Sequence, residues 1–577
     1  DVVILDEFHE RSLLSDLTLM MLLEARILSR GDLKILIMSA TLDIQSLAAR
    51  FDAPIIIAEG RSYPLKLSYI EHKLNYSQRL ISQYLIDELS SFWLNDASLK
   101  TRGHCLVFLP GRREIEEVRK HILRTYPECE VEVLYGSLPL HEQRNVLIPS
   151  QVAKVILATN IAETSLTIDG VTHVIDSGLY RTSRCDPKTG LNRLVTLPIA
   201  HDSATQRAGR AGRTQEGRCL RLWSEHDHKK RVTQTAPEVS YAPLLESVLK
   251  IAFWSGDWRL FEWFESPPQA ALRNAVEELV ELGALDQNSN QLSILGECLA
   301  TLPIHPRRGL ALIWGRALDC LEEVAFMCAL SELNHDPLSD KKQEIRTIDP
   351  WLRWTVYQNE QNMDRQHGYT VFDREFILTI KQLKRYVSRL SIDRLKLHKP
   401  NLSQVSTLKE RVAYALAQST PRGIARLRER SREDKRTIYH LSGGGEARLV
   451  SEIYNDEMNI LVVLKSRLNL HDEPVIELAL PIKLDWLSPI KAHHLRFDER
   501  LGGVYEHQTG SLGQLILWEK TYPAPKHSMD AQSLFKASLK KDLWQWIPLE
   551  TEAVQWLERL SWLRSQSELV NHLEVNL

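Results

Sequence analysis

Two adjacent acidic residues follow the first hydrophobic run of the chain, and their type and position suit nucleotide hydrolysis. The run Val2–Leu5 ends in Asp6 and Glu7. In nucleotidases built on a parallel sheet, a carboxylate at a strand end holds the nucleotide-bound Mg²⁺, and a second one serves the attacking water. Asp6 would therefore hold Mg²⁺ through its water shell, and Glu7 would orient and deprotonate the water. The pair alone is equally compatible with a loop acid that caps the next helix.

A strand of this kind normally lies downstream of a glycine-rich phosphate loop of the type G-x-x-x-x-G-K-[ST]. The 577 residues contain no such loop, and the first of them is not Met. We therefore expect a large fragment of an NTP-driven machine that starts inside its first catalytic domain. Because the lysine and hydroxyl of that loop grip the phosphates and Mg²⁺, we expect this polypeptide to be inactive by itself.

Three residues near the acidic pair are candidates for coupling the nucleotide to a neighbouring domain. The pair extends to Asp-Glu-Phe-His-Glu-Arg-Ser, a far more specific string, in which His9 could relay the state of the γ-phosphate. The alternative for His9 is a structural histidine with satisfied hydrogen bonds. Ser39 and Thr41 follow a second buried strand at 34–38 and could cap a helix, but their distance from the acidic pair favours a coupling role.

A string of hydroxyl and amide side chains runs from Ala158 to Gly170, directly after a predicted strand at 154–158. Such groups at the carboxyl end of a strand suit contacts with phosphate. Chance turn composition could supply a few of these residues, but hardly the entire string. The sequence therefore predicts a phosphate-contacting segment at this strand end.

Arginines recur at every third position in the string Gln-Arg-Ala-Gly-Arg-Ala-Gly-Arg, residues 206–213. Gly209 and Gly212 leave the backbone close to whatever the string faces. Arginines placed in this way neutralise the charge that develops on a transferred phosphoryl group, an effect worth about 10³–10⁵ in rate. The alternative is the basic, solvated start of a helix.

The elements that must position these residues are predicted by hydrophobic runs and their spacing. Short β-branched runs alternate with helical stretches up to about residue 222, which predicts α/β units with doubly wound parallel sheets. From about Trp223 the pattern changes to helices with short connectors, and a β-rich part lies near 437–480. The last stretch, from Trp518 to Trp562, is rich in tryptophan.

These strings together resemble those of the DEAH-box helicases of superfamily 2. Five strings are similar to motifs II, III, IV, V and VI of that family: Asp6–Ser12, Ser39–Thr41, Leu106–Gly111, Thr159–Asp169 and Gln206–Arg213. Phe8 replaces the usual Ala of the acidic box. That variant, the string Pro421–Arg426 and the Trp-rich tail are similar to the bacterial HrpB subgroup.

The resemblance implies a role for individual residues. Asp6 and Glu7 would be the Mg²⁺ and water residues, and Asp169 would lie near the nucleotide. Three residues are expected to face the γ-phosphate or to stabilise its charge, with the last as an arginine finger: Gln206, Arg210 and Arg213. Four residues are expected to contact the nucleic-acid backbone: Gly111, Thr159, Asn160 and Thr164. His9, Ser39 and Thr41 keep the coupling role.

The resemblance also implies the fold class, α/β, with two RecA-like doubly wound parallel-sheet domains, the first of them partial. Winged-helix, helical-bundle and OB-like accessory domains are expected to follow. The expected bounds are 1–60 and 61–222 for the RecA-like domains, 223–292 for the winged helix, 293–400 for the ratchet-like bundle, 401–500 for a basic segment with the OB-like domain, and 501–577 for the HrpB-type C-terminal region. The stretch 187–190 is similar to the tip of the hairpin that these helicases insert at a duplex junction.

The function implied is an ATP-dependent RNA helicase that couples NTP hydrolysis to 3′-to-5′ movement along single-stranded RNA. Its cofactors would be ATP and nucleotide-bound Mg²⁺, with no metal held by the protein itself and no membrane partner. A DNA helicase of the same fold is an open alternative, because the motifs contact backbone and the readers of the 2′-hydroxyl cannot be recognised. A non-catalytic RNA-binding or partner-docking piece is another, favoured by the missing phosphate loop.

Composition limits how the chain can bind nucleic acid and where it can work. The net charge is −3, so binding would use a local groove rather than an overall positive charge. Between Arg374 and Arg436 bases exceed acids by about ten, which suits either phosphate contacts or a solvated helix face. The seven cysteines show no C-x-x-C spacing, which predicts a reducing, cytoplasmic setting and argues against zinc or disulfides.

Overall fold

The computed structural model describes most of the chain up to residue 559. The described residues are 1–39, 44–58, 63–71, 78–94, 103–136, 138, 140–150, 152–163, 166–185, 192–213, 215–333, 348–362, 372, 374–395, 397, 399–400, 402–431, 436–449, 456–468, 473–498, 503–525, 527–546, 555–556 and 558–559. The predicted hairpin tip at 187–190 lies outside them.

The first unit is a β-α-β-α segment. Its elements are β1 (Val2–Leu5), α1 (Leu13–Leu28), β2 (Lys34–Ile37) and α2 (Ile44–Phe51). β1 and β2 pair in parallel, from Val2 opposite Lys34 to Leu5 opposite Ile37. Helix α1 begins after Ser12, whose side chain accepts a hydrogen bond from the N–H of Ser15 and so caps the first turn. The two predicted strands and the intervening helix are confirmed.

The second unit holds a six-stranded, all-parallel sheet with helices on both faces. Its strands are β3 (Leu65–Tyr69), β4 (His104–Phe108), β5 (Val131–Leu134), β6 (Val155–Ala158), β7 (Val171–Asp176) and β10 (Gly217–Arg221), in the spatial order β3-β10-β7-β4-β6-β5. Between β7 and β10, strands β8 (Leu179–Cys185) and β9 (Asn192–Pro198) form an antiparallel hairpin. The helices are α3 (Gln78–Leu89), α4 (Arg112–Thr125), α5 (Leu140–Leu147) and α6 (His201–Gly209).

Two separate hydrophobic cores explain why the central strands are continuous apolar runs. Every residue of β4 and β6 is buried. On one face, Leu89 of α3 and Val118 of α4 pack against the sheet, and on the other Val146 of α5 and Ala208 of α6 do so. A parallel strand covered on both faces needs apolar side chains on both sides. The predicted doubly wound sheet is therefore confirmed for this unit.

A helical region follows. Its helices are α7 (Glu225–Lys229), α8 (Leu245–Ser255), α9 (Gln269–Glu281), α10 (Ile294–Thr301), α11 (Pro306–Ala317), α12 (Leu321–Glu332), α13 (Trp351–Asn362), α14 (Arg374–Ser388) and α15 (Leu408–Ser419). After α9, an antiparallel bridge joins Leu285 to Leu292, within the stretch predicted as a winged helix. Helix α11 contributes eight buried residues and packs against α12, α14 and α15. Helix α15, which follows residue 400, therefore packs with the helices of the bundle, and the domain bounds stay predictions.

The β-rich part forms a closed five-stranded barrel. Its strands are β11 (Ile424–Ser431), β12 (Arg436–Leu441), β13 (Glu446–Leu449), β14 (Ile460–Leu468) and β15 (Pro474–Pro481), in the order β11-β12-β13-β15-β14. Five strands closed in this way fit the expected OB-like unit. A three-stranded antiparallel sheet follows, with β16 (Ile490–Asp498), β17 (Gly503–Leu512) and β18 (Leu515–Pro523), and helix α16 (Met529–Trp546) contacts it.

Two arginines of the Pro421–Arg426 string join the barrel to its neighbours. The Arg422 guanidinium contacts three glutamates of α9, with its Nε 2.9 Å from an oxygen of Glu281. Arg426 donates through Nη1 to the carbonyl oxygen of Leu517 in β18, at 2.9 Å. The string that resembles the HrpB subgroup is therefore an inter-unit connection. Among the described residues, no helix is long and apolar enough to cross a membrane.

A histidine in the parallel-sheet unit should make stability depend on pH. Burial, aided by the charges of Arg221, His201 and Arg231, lowers the pKa of His228 to about 4, with only Glu225 opposing. In the unfolded chain this pKa is about 6.5, so between these values only the unfolded state binds the proton. We expect His228 to favour folding fully above pH 6.5 and to lose that effect as the pH falls towards 4.

The measurement is the free energy of unfolding of the wild type minus that of His228→Gln, from urea titrations across this pH range. Carboxylates titrate in both proteins, so the difference isolates the histidine. The difference should shrink on acidification; a constant difference would contradict the assignment.

Candidate nucleotide and nucleic-acid sites

The acidic box is held in a tight turn beside the end of β2. Phe8 donates its backbone N–H to the carbonyl oxygen of Met38 at 3.0 Å, and Met38 donates to that of Leu5 at 2.8 Å. Ser39 follows Met38 directly, so this predicted coupling residue lies next to the box. Thr41 lies outside the described residues. The box itself is a single turn of 3₁₀ helix, Phe8–Glu10, preceded by Glu7 in the left-handed conformation with φ 49°.

The two acids differ in their surroundings. The Glu7 side chain is 44% exposed, and its Oε2 lies 3.4 Å from Nδ1 of His9, whose side chain is only 5% exposed. Glu7 donates its backbone N–H to Oδ1 of Asp6 at 2.8 Å. The Glu7 carboxylate is therefore accessible to a water or phosphate, while the imidazole beneath it is shielded. This geometry suits a carboxylate base with a neighbouring group that senses its charge.

The arginine string lies at the end of α6, and its three arginines have different environments. Arg207 is 1% exposed and forms ion pairs with Glu163, at 2.8 Å, and with fully buried Asp176, at 3.0 Å. Its guanidinium also lies 4.8 Å from the ring centroid of Phe108. Burial alone would lower the pKa of Arg207, but the charges of Asp176 and Glu163 outweigh burial and raise it. Arg207 thus fastens α6 to β7 and to the segment after β6.

Arg210 is buried and donates to the backbone instead. Its guanidinium hydrogen-bonds to the carbonyl oxygens of Glu163 and Leu166. Burial, with the charge of neighbouring Arg213, lowers the pKa of Arg210 to about 10, while the charges of Glu163 and Glu7 act in the opposite direction. Arg210 therefore stays charged at neutral pH. The influence of Glu7 on Arg210 also means that the acidic box and the arginine string face each other across the two units.

Arg213 and Gln206 complete this group. Arg213 is exposed and donates through Nη1 to the hydroxyl of Thr167 at 3.3 Å. Gln206 is half-buried and lies four residues before Arg210, so both fall on one face of the helix. The Arg213 guanidinium is exposed and the Arg210 guanidinium lies buried behind it. The exposed group can contact an anion that approaches from the first unit. Over the part of the chain that the structure describes, no group of three or more His, Cys, Asp or Glu side chains could hold a metal ion.

The sheet places the two sets of predicted residues at opposite edges. Asp169 and Arg213 precede β7 and β10, so they lie at the amino ends of parallel strands. Gly111 and Thr159 follow β4 and β6, at the carboxyl ends, and exposed Asn160 comes next. Because parallel strands share their direction, these ends form two distinct edges of one sheet. The residues expected to bind the nucleotide thus lie at one edge, and those expected to bind nucleic acid lie at the other. Thr164 lies outside the described residues.

Gly111 is confined by an ion pair that ties the hairpin to α4. Arg181 of β8 lies 2.9 Å from nearly buried Glu114 in the first turn of α4. A Cβ on Gly111, the residue that begins α4, would come within 2.4 Å of the Arg181 guanidinium. A larger residue would displace the end of the flexible Arg181 side chain from Glu114. Gly111 therefore leaves room for the ion pair that joins the hairpin to α4.

Sequence reasoning missed the ion-paired trio of Arg207, Glu163 and Asp176. A signal was available for Arg207, because it shares the buried face of α6 with Ser203, Ala204 and Ala208. No local pattern indicates that Asp176, in a fully buried strand, would meet it. The trio lies behind Arg210 and holds the segment whose carbonyls Arg210 contacts. It is structural support for the candidate site.

Part of the basic surplus between residues 374 and 436 is neutralised within the chain. Four of its bases form ion pairs with Glu322, Asp349, Glu281 and Glu446: Lys384, Lys409, Arg422 and Arg428. Arg374, Lys381 and Arg385 remain exposed on one side of α14. Phosphate contact by this segment stays a prediction that concerns the α14 face rather than the whole surplus.

Removal of Arg207 should destabilise the parallel-sheet unit. Arg207→Ala leaves the Asp176 carboxylate buried and uncompensated, and breaking a buried pair in this way costs about 3–5 kcal/mol. Arg207→Lys keeps the charge but cannot reach two carboxylates with one planar group, so we expect an intermediate loss. Urea unfolding followed by circular dichroism measures both.

The matched control is Arg144→Ala, which removes an exposed arginine of α5 and should change the unfolding free energy by no more than about 0.5 kcal/mol. Equal effects of Arg207→Ala and Arg144→Ala would refute the structural role.

Comparison with known proteins connects these features to a family. A family model described as "Helicase conserved C-terminal domain" matches residues 83–215. The chain is 38% identical over 336 residues to the ATP-dependent RNA helicase HrpB of Escherichia coli K12, over 57% of this chain and 40% of that protein. It is 35% identical to the pre-mRNA-splicing factor ATP-dependent RNA helicase prp22 of Schizosaccharomyces pombe, over 57% of this chain and 28% of that protein.

Two solved structures are also similar to this chain. The crystal structure of the E. coli DExH-box NTPase HrpB matches with a TM-score of 0.68 and 28% identity, over 98% of this chain and 66% of that one. A second crystal structure, of the Escherichia coli DEAH/RHA helicase HrpB, matches with a TM-score of 0.69 and 27% identity, over 98% and 67%. The chain spans less than half the length of the curated relatives above. In its motifs, its fold and these comparisons, the chain is similar to the DEAH-box helicases of the HrpB type.

Proposed function

We propose that the full-length protein is an ATP-dependent RNA helicase. The observation that carries the proposal is the accessible Glu7 carboxylate in the first unit together with the exposed Arg213 guanidinium and the buried Arg210 guanidinium in the second. A base on one side and guanidinium groups on the other are what hydrolysis of a nucleoside triphosphate requires between two domains. The names of the relatives, ATP-dependent RNA helicases, support the same reaction class.

In the proposed reaction each residue has one task. Glu7 orients a water and takes its proton, and His9 beneath it responds to the charge of the carboxylate. Arg210, with its guanidinium fixed by two carbonyl oxygens, and the exposed Arg213 stabilise negative charge on the γ-phosphate. Asp6 would hold Mg²⁺ through its water shell, and the ion would supply further neutralisation of the phosphates. Hydrolysis requires both units, so it is sensitive to their separation.

RNA is the proposed polynucleotide, and 3′-to-5′ is the proposed direction of movement. The candidate backbone contacts Gly111, Thr159 and Asn160 lie at the sheet edge opposite to Arg213, so the strand and the nucleotide need not compete for space. We further propose that the protein acts in the cytoplasm.

The test is ATP hydrolysis by the full-length protein, with Mg²⁺, in the presence of single-stranded RNA or DNA of the same sequence. We expect RNA to stimulate hydrolysis more than DNA does, and EDTA to abolish it. Duplexes with a 3′ overhang should be unwound faster than those with a 5′ overhang. Absence of hydrolysis with either polynucleotide would refute the proposal, and stronger stimulation by DNA would favour the DNA alternative.

A second candidate concerns the 577-residue polypeptide alone. Its sequence contains no Gly-Lys-Thr phosphate loop, which favours an RNA-binding or docking role without turnover for this polypeptide. Binding of a fluorescent ATP analogue and of RNA to this polypeptide separates the two cases. RNA binding without nucleotide binding is expected, and nucleotide turnover would contradict it.

A further inference from the structure

The acidic box is packed against an aromatic residue that lies far away in the sequence. Phe8, the residue that replaces Ala in the box, is fully buried. Its ring meets that of Phe264 edge to face, with centroids 5.6 Å apart and an interplanar angle of 90°. This arrangement places the positive ring edge on the negative ring face and is the favourable geometry for two aromatic rings. An Ala at position 8 could not make this contact.

Phe264 is itself fixed on the side of the first unit. Arg50 of α2 donates through Nη1 to the Phe264 carbonyl oxygen at 2.7 Å. The guanidinium groups of Arg11 and Arg50 lie 4.3 and 4.6 Å from the centroid of the Phe264 ring. Phe51 stacks on the same ring, with centroids 6.0 Å apart. The ring is therefore held by side chains that belong to the same unit as the catalytic box.

The turn that carries Glu7 is conformationally strained. Glu7 and Arg11, at either end of the turn, both have φ 49°, a conformation that residues with a Cβ rarely adopt. Such residues persist where the surrounding structure fixes them, and they cluster at functional sites. Here Arg11 is fixed by Asp16 at 2.9 Å and by Glu265 at 3.1 Å. Its carbonyl oxygen also accepts from the N–H of Glu238 at 3.1 Å.

We propose that Phe264 is a positioning residue for Glu7. Through Phe8 it holds the strained turn in the one conformation that directs the Glu7 carboxylate towards the arginine string. Phe264 contacts Phe8 and Arg11 at the box and Arg50 and Phe51 of α2, so its effect on hydrolysis would pass through the box. The inference rests on the proposed function. It also means that the segment 238–265, outside both parallel-sheet units, sets the geometry of the hydrolytic base.

The experiment is a double-mutant cycle on the full-length protein with Phe8→Ala, Phe264→Ala and the double variant. The measured quantities are kcat and KM for ATP at saturating RNA. We expect each single variant to lower kcat by about tenfold to a hundredfold, because a base displaced by about 1 Å loses that much, while KM changes little. The double variant should be no slower than the slower single variant, because both changes remove the same contact.

Two variants separate positioning from general packing. Phe264→Tyr keeps the ring and should retain kcat. Trp263→Ala removes the adjacent aromatic side chain, which packs on Phe261 rather than on the box, at 5.7 Å. It should lower the melting temperature without lowering kcat at temperatures where the protein is folded. If circular dichroism shows that Phe264→Ala does not fold, Phe264→Leu replaces it in the cycle. Leucine fills the space without a ring.

The outcomes are distinct. Wild-type kcat in folded Phe264→Ala, or in its Leu substitute, refutes the inference. Losses of kcat that multiply in the double variant also refute it, because they show that Phe8 and Phe264 act independently. Wild-type protein that does not hydrolyse ATP refutes the proposed function, and the inference with it. The inference is supported if the losses of kcat do not multiply in the double variant and Phe264→Tyr stays active.

Discussion

Replacement of Glu7 by Gln should abolish ATP turnover by the full-length protein and leave ATP binding near its wild-type strength. The amide keeps the size and hydrogen-bonding reach of the carboxylate but cannot take a proton from water. Loss of a general base costs about 10²–10⁴ in kcat. The Glu7 side chain is 44% exposed, so its replacement by an amide of the same size should not disturb the fold. Steady-state ATPase assays and titration with a fluorescent ATP analogue measure the two effects.

The matched control is Glu128→Gln, which makes the same chemical change at an exposed turn after α4. It should retain full turnover. Unchanged turnover in Glu7→Gln would remove Glu7 as the base. A loss of ATP binding equal to the loss of turnover would instead assign Glu7 to holding the nucleotide.

Replacement of Arg213 by Ala should lower kcat far more than it lowers RNA affinity. Arg213 is exposed and precedes β10, at the amino ends of the parallel strands, whereas the candidate RNA contacts lie at the carboxyl ends. An arginine that stabilises the charge of a transferred phosphoryl group is worth about 10³–10⁵ in rate. ATPase assays at saturating RNA, with RNA affinity from fluorescence anisotropy, give the two quantities.

Arg124→Ala is the control, because it removes an exposed arginine from α4 of the same unit. It should change neither kcat nor RNA affinity appreciably. A variant of Arg213 whose defect is mainly in RNA binding would count against its assignment as an arginine finger. Arg213→Lys should recover little of kcat, since an ammonium group cannot reproduce the planar fork of donors.

Much of the α/β architecture could be predicted from hydrophobic runs. The strand predicted at 154–158 agrees with β6 (Val155–Ala158) within one residue, because a strand covered on both faces must be continuously apolar. The bounds of the helical bundle stay predictions. Helix α15 packs on α11 although it follows a basic connector, and no local pattern reveals that association. The ends of such a unit depend on contacts between distant segments, which a local pattern does not contain.

For the candidate site, the sequence was sufficient to identify residue types but not their environments. The Gln206–Arg213 string indicates phosphate chemistry, yet its three arginines look alike in the sequence. In the folded chain Arg207 is a buried structural cation, Arg210 is held by carbonyl oxygens and Arg213 is exposed. The difference arises because Arg207 lies on the buried face of α6, Arg210 is the first residue after that helix, and Arg213 lies in the turn before β10.

The order of the motifs along the chain established the family resemblance and the acidic box as its first element. Local chemistry is enough for that, because strand ends, glycine positions and acid pairs are encoded over a few residues. The placement of the box depends on contacts with distant segments of the chain. Phe8 meets Phe264, and Arg11 meets Glu238 and Glu265, through packing between segments more than two hundred residues apart. Such contacts depend on the complete tertiary arrangement, and they determine where the Glu7 carboxylate points.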